Sequence, residues 1–139
     1  MKMTAQIKNS SGIHEVSLKT NENARALDVP PKSNSFGSSV NGGEFLFLAL
    51  ATCYCNDIYR EAAKKGMKVE GVEVSVTGDF GAEGEPAKNV TYDAKVRAHA
   101  SEEDILELMK YTDTAAEIHN TLRAKTQMSP GRFEAVSVQ

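Results

Sequence analysis

Glu44-Phe45-Leu46-Phe47-Leu48-Ala49-Leu50-Ala51-Thr52-Cys53 is the stretch whose reading decides the fold. From Phe45 to Ala51 every position is apolar, so a helix formed here has no polar face and is expected to be surrounded by protein. The continuation Arg60-Glu61-Ala62-Ala63-Lys64-Lys65 is amphipathic. Gly66 follows two lysines, a suitable C-terminal stop. A long helix is therefore predicted over 44–65.

On the N-terminal side, residues 3 to 8 and 13 to 19 read as a hairpin. Ala5 and Ile7, then Ile13, Val16 and Leu18, are separated by the turn cluster Asn9-Ser10-Ser11-Gly12. A short strand at Arg25 to Val29 is stopped by Pro30-Pro31, because proline supplies no ladder donor. Lys32 to Gly43, rich in Ser, Asn and Gly, reads as a loop of the length that compact domains reserve for function.

On the C-terminal side, Val72, Val74 and Val76 alternate with Glu73, Ser75 and Thr77 within a strand over 69–80. Val90, Tyr92, Ala94, Val96 and Ala98 share a face of a second, over 89–98. The residues between, 81 to 87, are a turn, so the two strands should form an antiparallel pair with one face buried. Ser101 begins a helix with Ile105, Leu106, Leu108 and Met109 at helical spacing. A short helix is expected near Ala116 to Ala124 and a closing strand over 133–138. The expectation is one α+β domain over residues 1–139.

The bulk numbers exclude more than they assign. A net charge of -3 leaves no basic stripe for nucleic acid. The longest apolar run is far short of the roughly 20 residues that cross a membrane. The N-terminus Met1-Lys2-Met3-Thr4 shows no apolar signal segment, and two cysteines so close together provide no disulfide framework. The expected location is cytoplasmic, with neither nucleic acid nor membrane as a partner.

Cys53 is the first candidate for chemistry. A mid-helix thiol gains little from the helix dipole, and Asp57, one turn later on the same face, raises its pKa if close and ionised. Activation must come from another segment; otherwise Cys53 is packing. Cys55 lies about 200° away around the helix, which argues against a Cys53–Cys55 disulfide and against a zinc half-site. His14, His99 and His119 are scattered, so no metal and no cofactor are expected.

The segment Asn41-Gly42-Gly43-Glu44 through Cys53 resembles the signature of the OsmC/Ohr family of osmotically induced and organic hydroperoxide resistance proteins. That signature has a Pro-x-Glu, an apolar run and then a reactive cysteine. Glu117-Ile118-His119-Asn120-Thr121-Leu122-Arg123 resembles the family's second motif, and the order of elements agrees from Lys2 to Val138. The resemblance implies a fold with an N-terminal hairpin, a long buried central helix, an antiparallel strand pair, C-terminal helices and a final strand, assembled as an intertwined homodimer. It also implies a peroxidatic thiol at Cys53, held ready by an arginine and a glutamate and resolved by a second cysteine. Three departures stand out. His119-Asn120 occupies the place of the resolving Cys-Pro, and Gly42 that of the signature proline. No arginine lies in the 30s, where the nearest cations are Lys32 and, further back, Arg25.

Glu44 and Cys53 are nine residues apart, about 180° of rotation and about 13.5 Å of rise in a regular helix. Glu44 therefore acts at the thiol only if the chain bends before residue 45 or the two meet across a dimer. Otherwise it is a first-turn carboxylate favoured by the dipole. By the resemblance, His119 should face Cys53, with Arg123 following on the same side. Either could supply positive charge, or both could be solvated or pair with Glu117 or Glu134.

Three functions compete. The first is a peroxidase acting on organic hydroperoxides through Cys53 alone, with Glu44, His119 and Arg25 as supporting candidates and an external thiol as reductant. The second is a catalytically silent protein that binds a small apolar ligand. The third is a hot-dog-type thioesterase or dehydratase, which the separate strand pair after the helix disfavours.

Overall fold

In the computed structural model, which describes residues 1–33 and 36–138, the chain divides into two compact units, Met1–Phe47 and Leu48–Gln139.

The first unit is a three-stranded antiparallel meander of β1 (Met3–Ser10), β2 (Ile13–Thr20) and β3 (Asn23–Leu27). Two-residue loops join the strands: Ser10 pairs with Ile13, and Thr20 with Asn23. Each loop holds one residue with positive φ, Gly12 at 71° and Asn21 at 51°. Those are residue types that enter the left-handed region at low cost. Ile7 lies opposite Val16, and Val16 opposite Leu27, so these three share one face. Ile13 points to the other face, because side chains alternate along a strand. Asn9 ties the loop back to this hairpin: its Oδ1 accepts from Gly37 N at 3.0 Å and its Nδ2 donates to Gly37 O at 3.2 Å. Of the predicted loop over 32–43, residues 34 and 35 lie outside the described residues.

Helix α1 (Gly42–Lys64) is unbroken and starts two residues before the predicted boundary. Its first turn is closed reciprocally. Asn41 Oδ1 accepts from Glu44 N at 2.8 Å, and Glu44 Oε1 accepts from Asn41 N at 3.2 Å, the arrangement of a capping box. At the other end Gly66, with φ 66°, turns the chain out, as Met67 N donates to Ala62 O and Gly66 N to Ala63 O.

The second unit packs the rest of α1 with β4 (Val69–Asp79), β5 (Lys88–Ala98), α2 (Glu102–Ala115) and α3 (Glu117–Arg123). β4 and β5 form the expected antiparallel pair, with Val72 opposite Val96, Val74 opposite Ala94 and Val76 opposite Tyr92. Tyr54, Ile58 and Ala62, at i, i+4 and i+8 on α1, make the core with Leu108 of α2 and the valine face of the pair. Ser101 Oγ caps α2 by accepting from Asp104 N at 3.1 Å.

One expectation is left open within a single chain, and one is corrected. The apolar half of α1 is not enclosed within one chain: Leu48 is 57% exposed. A two-stranded sheet and one helix cover a single stripe of α1 and leave the rest of an all-apolar surface open. Nor is there a final strand: the described residues from Lys125 to Val138 form neither helix nor strand, and Phe133 is 88% exposed. The pattern of β-formers there is realised only where another strand accepts and donates the ladder bonds.

Candidate functional site

Cys53 sits half-buried on α1, where the regular turn brings Asp57 and Arg60 to the same side at i+4 and i+7. Cys53 Sγ lies 3.4 Å from Asp57 Oδ2 and 3.9 Å from Glu117 Oε2. A thiol has one proton to donate, so it serves one carboxylate at a time. Arg60 binds this cluster together: Nη1 is 3.0 Å from Asp57 Oδ1 and 3.1 Å from Glu117 Oε1, and Nε is 2.8 Å from Glu61 Oε1.

The electrostatics follow from that geometry. Burial pushes the Cys53 thiol above its ordinary range, and the Asp57 and Glu117 charges push the same way, against a hydrogen bond from the Ile118 backbone. Burial likewise raises Asp57, with the Cys53 hydrogen bond and Arg60 acting against it. Glu117 is held low by its backbone hydrogen bond and by Arg60. The thiol is thus protonated near neutrality and hydrogen-bonded to a carboxylate whose proton affinity is enhanced. Donor atoms of Cys53, Asp57 and Glu117 fall within 4.8 Å of one another, a trio the cysteine and histidine spacing did not suggest. Arg60 already supplies the positive charge between its two carboxylates.

His119 belongs to a different arrangement. It is 5% exposed, and its ring centroid lies 4.8 Å from that of Tyr92, edge-on, and 6.0 Å from that of Tyr54. Neither ring nitrogen has a hydrogen-bond partner. Burial lowers its pKa, and Arg123 adds to this while Asp113 opposes it. Asp113 accepts from Tyr92 Oη and from Arg123 Nη2, the latter at 2.7 Å, and its backbone oxygen accepts from Arg123 Nη1 at 2.9 Å. Burial acts to raise Asp113, but these two donors outweigh it and its carboxyl stays low. Beside this network is a cavity of about 370 Å³, walled by Leu50, Val76, Val90, Tyr92, Leu122 and the His119 ring, with Arg123 and Thr91 also bordering it.

The predicted residues therefore separate. Asp57 is beside the thiol, as its spacing suggested. His119 packs on two tyrosines, and Arg123 pairs with Asp113 rather than with Glu117 or Glu134. Glu44 closes the first turn of α1. Residues 42–64 form one continuous helix, so the break before residue 45 that would bring Glu44 back to Cys53 within one chain is not there. Arg25 is an exposed residue of β3, opposite Leu18. Sequence reasoning missed Arg60, although seven residues from Cys53 is two helical turns and three from Asp57 is one. It also missed Asp113, Tyr92 and Tyr54, whose convergence depends on how α2 and β5 pack and has no local signature.

Residues 35–130 match the family described as OsmC-like protein. The chain belongs to that family. Solved structures agree at the level of fold. An OsmC-like protein from Mycoplasma pneumoniae is 20% identical, with a TM-score of 0.60 over 88% of this chain and 89% of its own. An OsmC-like hydroperoxide resistance protein from a Jannaschia species is 14% identical, with a TM-score of 0.55 over 98% and 92%. An organic hydroperoxide resistance protein OsmC from Legionella pneumophila is also 14% identical, with a TM-score of 0.53 over 88% and 90%. Among curated proteins no relative matches. No helix among the described residues is long and apolar enough to cross a membrane.

Proposed function

We propose that this OsmC-like protein is a thiol-dependent reductase of organic hydroperoxides, with Cys53 as the reacting group and an external thiol as reductant. The observation that carries the reading is the Cys53 Sγ to Asp57 Oδ2 hydrogen bond of 3.4 Å. It gives the thiol proton a destination as sulfur becomes nucleophilic, which offsets the raised pKa by general-base assistance. In the first step Sγ attacks the terminal oxygen of the hydroperoxide and the O–O bond breaks. Cys53 is oxidised to the sulfenic acid, and the leaving alkoxide takes the proton passed to Asp57, giving the alcohol. An outside thiol then condenses with the sulfenic acid, releasing water and leaving a mixed disulfide. A second thiol restores Cys53 and departs as the oxidised disulfide. Cys55, on the same helix, diverges from Cys53 and cannot take the resolving role. The proposed setting is the cytoplasm and the proposed assembly a homodimer.

One observation favours the second reading, a silent binding protein for a small apolar ligand: burial and two carboxylates hold the thiol in its unreactive, protonated form. Intact mass after one equivalent of cumene hydroperoxide, with and without dimedone, separates the two. The peroxidase reading expects a dimedone adduct on Cys53, absent from Cys53→Ser and retained in Cys55→Ser. Reaction no faster than that of free cysteine leaves the binding protein.

A further inference from the structure

We infer that the cavity beside His119 is a binding site for a small neutral molecule with an apolar body and a hydroxyl group, a phenol or an alcohol. The cavity, about 370 Å³, falls in the size range of small-ligand sites. Most of its wall is hydrocarbon, from Leu50, Val76, Val90 and Leu122, which selects an apolar body. One buried polar group interrupts that wall. The His119 imidazole is 5% exposed, and both of its nitrogens lack a partner. A buried polar side chain left without any hydrogen bond is uncommon and costs free energy until something satisfies it. A neutral imidazole offers one donor and one acceptor, and a hydroxyl can engage either.

Charge decides between a hydroxyl and a carboxylate. Burial and the neighbouring Arg123 disfavour protonation of His119, so the ring brings no positive charge. The Arg123 guanidinium is committed to Asp113 through its backbone and side-chain oxygens. An anion entering the cavity would lose its hydration and meet no unpaired cation, whereas a neutral hydroxyl loses far less. The inference does not depend on peroxide chemistry, since Cys53 is not among the residues lining the cavity.

The test is titration of the reduced, full-length protein with three probes of matched shape, 4-ethylphenol, ethylbenzene and 4-ethylbenzoate, followed by NMR of protein carrying ¹⁵N-labelled histidine. The phenol is expected to shift the His119 ring nitrogens saturably and to bind about tenfold more tightly than ethylbenzene. His119→Phe is expected to abolish that preference while ethylbenzene still binds. Cys53→Ser should bind the phenol as the unaltered protein does, even if peroxide turnover proves absent. Equal binding of ethylbenzene would overturn the inference in favour of a simple apolar hollow. Tighter binding of the benzoate would overturn it in favour of an anion site at Arg123, and no saturable binding would remove the site altogether. Should His119→Phe fail to fold, the probe preference and ring shifts of the unaltered protein decide.

Discussion

Asp57 has two opposed effects on Cys53. Its charge and its hydrogen bond hold the thiol protonated, yet the same oxygen can receive the proton when sulfur attacks. Asp57→Asn separates them. Removing the charge should lower the thiol pKa and speed alkylation by iodoacetamide at pH 8 by about tenfold, one pKa unit. Oxidation by cumene hydroperoxide should slow at the same time. If both reactions accelerate, Asp57 merely suppresses the thiolate. His119 provides a pH test of stability. Its pKa is depressed in the folded state, so its contribution is present above the unfolded value of about 6.5 and is lost as pH falls through the folded value. Urea unfolding should therefore show stability falling from pH 7 toward pH 5, with a shallower slope in His119→Gln. Both residues could be named from the sequence, but their surroundings could not. The i+4 spacing of Asp57 was decisive because helix geometry is local. The position of His119 depends on Tyr54 and Tyr92, which lie on separate elements.

Among the elements, α1 carries most of the argument, and its two ends are specified by short-range chemistry. The Asn41–Glu44 cap implies that Asn41→Ala costs about 1 kcal/mol. Glu44→Gln, which preserves a capping box, should be nearly neutral in urea unfolding and in peroxide reactivity. A large loss of reactivity with unchanged stability would restore Glu44 to the site. Ile58 is fully buried between α2 and the strand pair, so Ile58→Ala should cost about 2–5 kcal/mol. Peptide mapping after peroxide should show no Cys53–Cys55 bridge, since both lie on α1. The sequence made β4, β5, α2 and α3 legible through alternation and capping. Which face Ile13 takes follows from the register that the two-residue loop sets, and apolar count does not fix it.

At the scale of the molecule, several apolar surfaces are uncovered within one chain. Ile7 on the meander is 56% exposed, and Leu48 and Phe133 remain open elsewhere. The homodimer remains a proposal, checked by sedimentation at micromolar concentration: a stable monomer counts against it. The final strand is absent among the described residues, and the cover of α1 falls to the proposed second copy. A single sequence records that Leu48 and Val136 want cover without recording which chain supplies it.

The Tyr54–Tyr92–His119 cluster has an optical consequence. The chain contains no tryptophan and four tyrosines. Two of these, Tyr54 and Tyr92, have ring centroids 4.9 Å apart, with hydroxyls fixed by Met109 O and Asp113. The other two, Tyr59 and Tyr111, are 44% and 50% exposed. Circular dichroism near 280 nm depends on aromatic rings held in a fixed asymmetric setting. That band should therefore report chiefly on one small region, the ring cluster beside the His119 cavity, and do so without any label. Loosening there should erase the signal while the far-ultraviolet spectrum of the helices and strands persists.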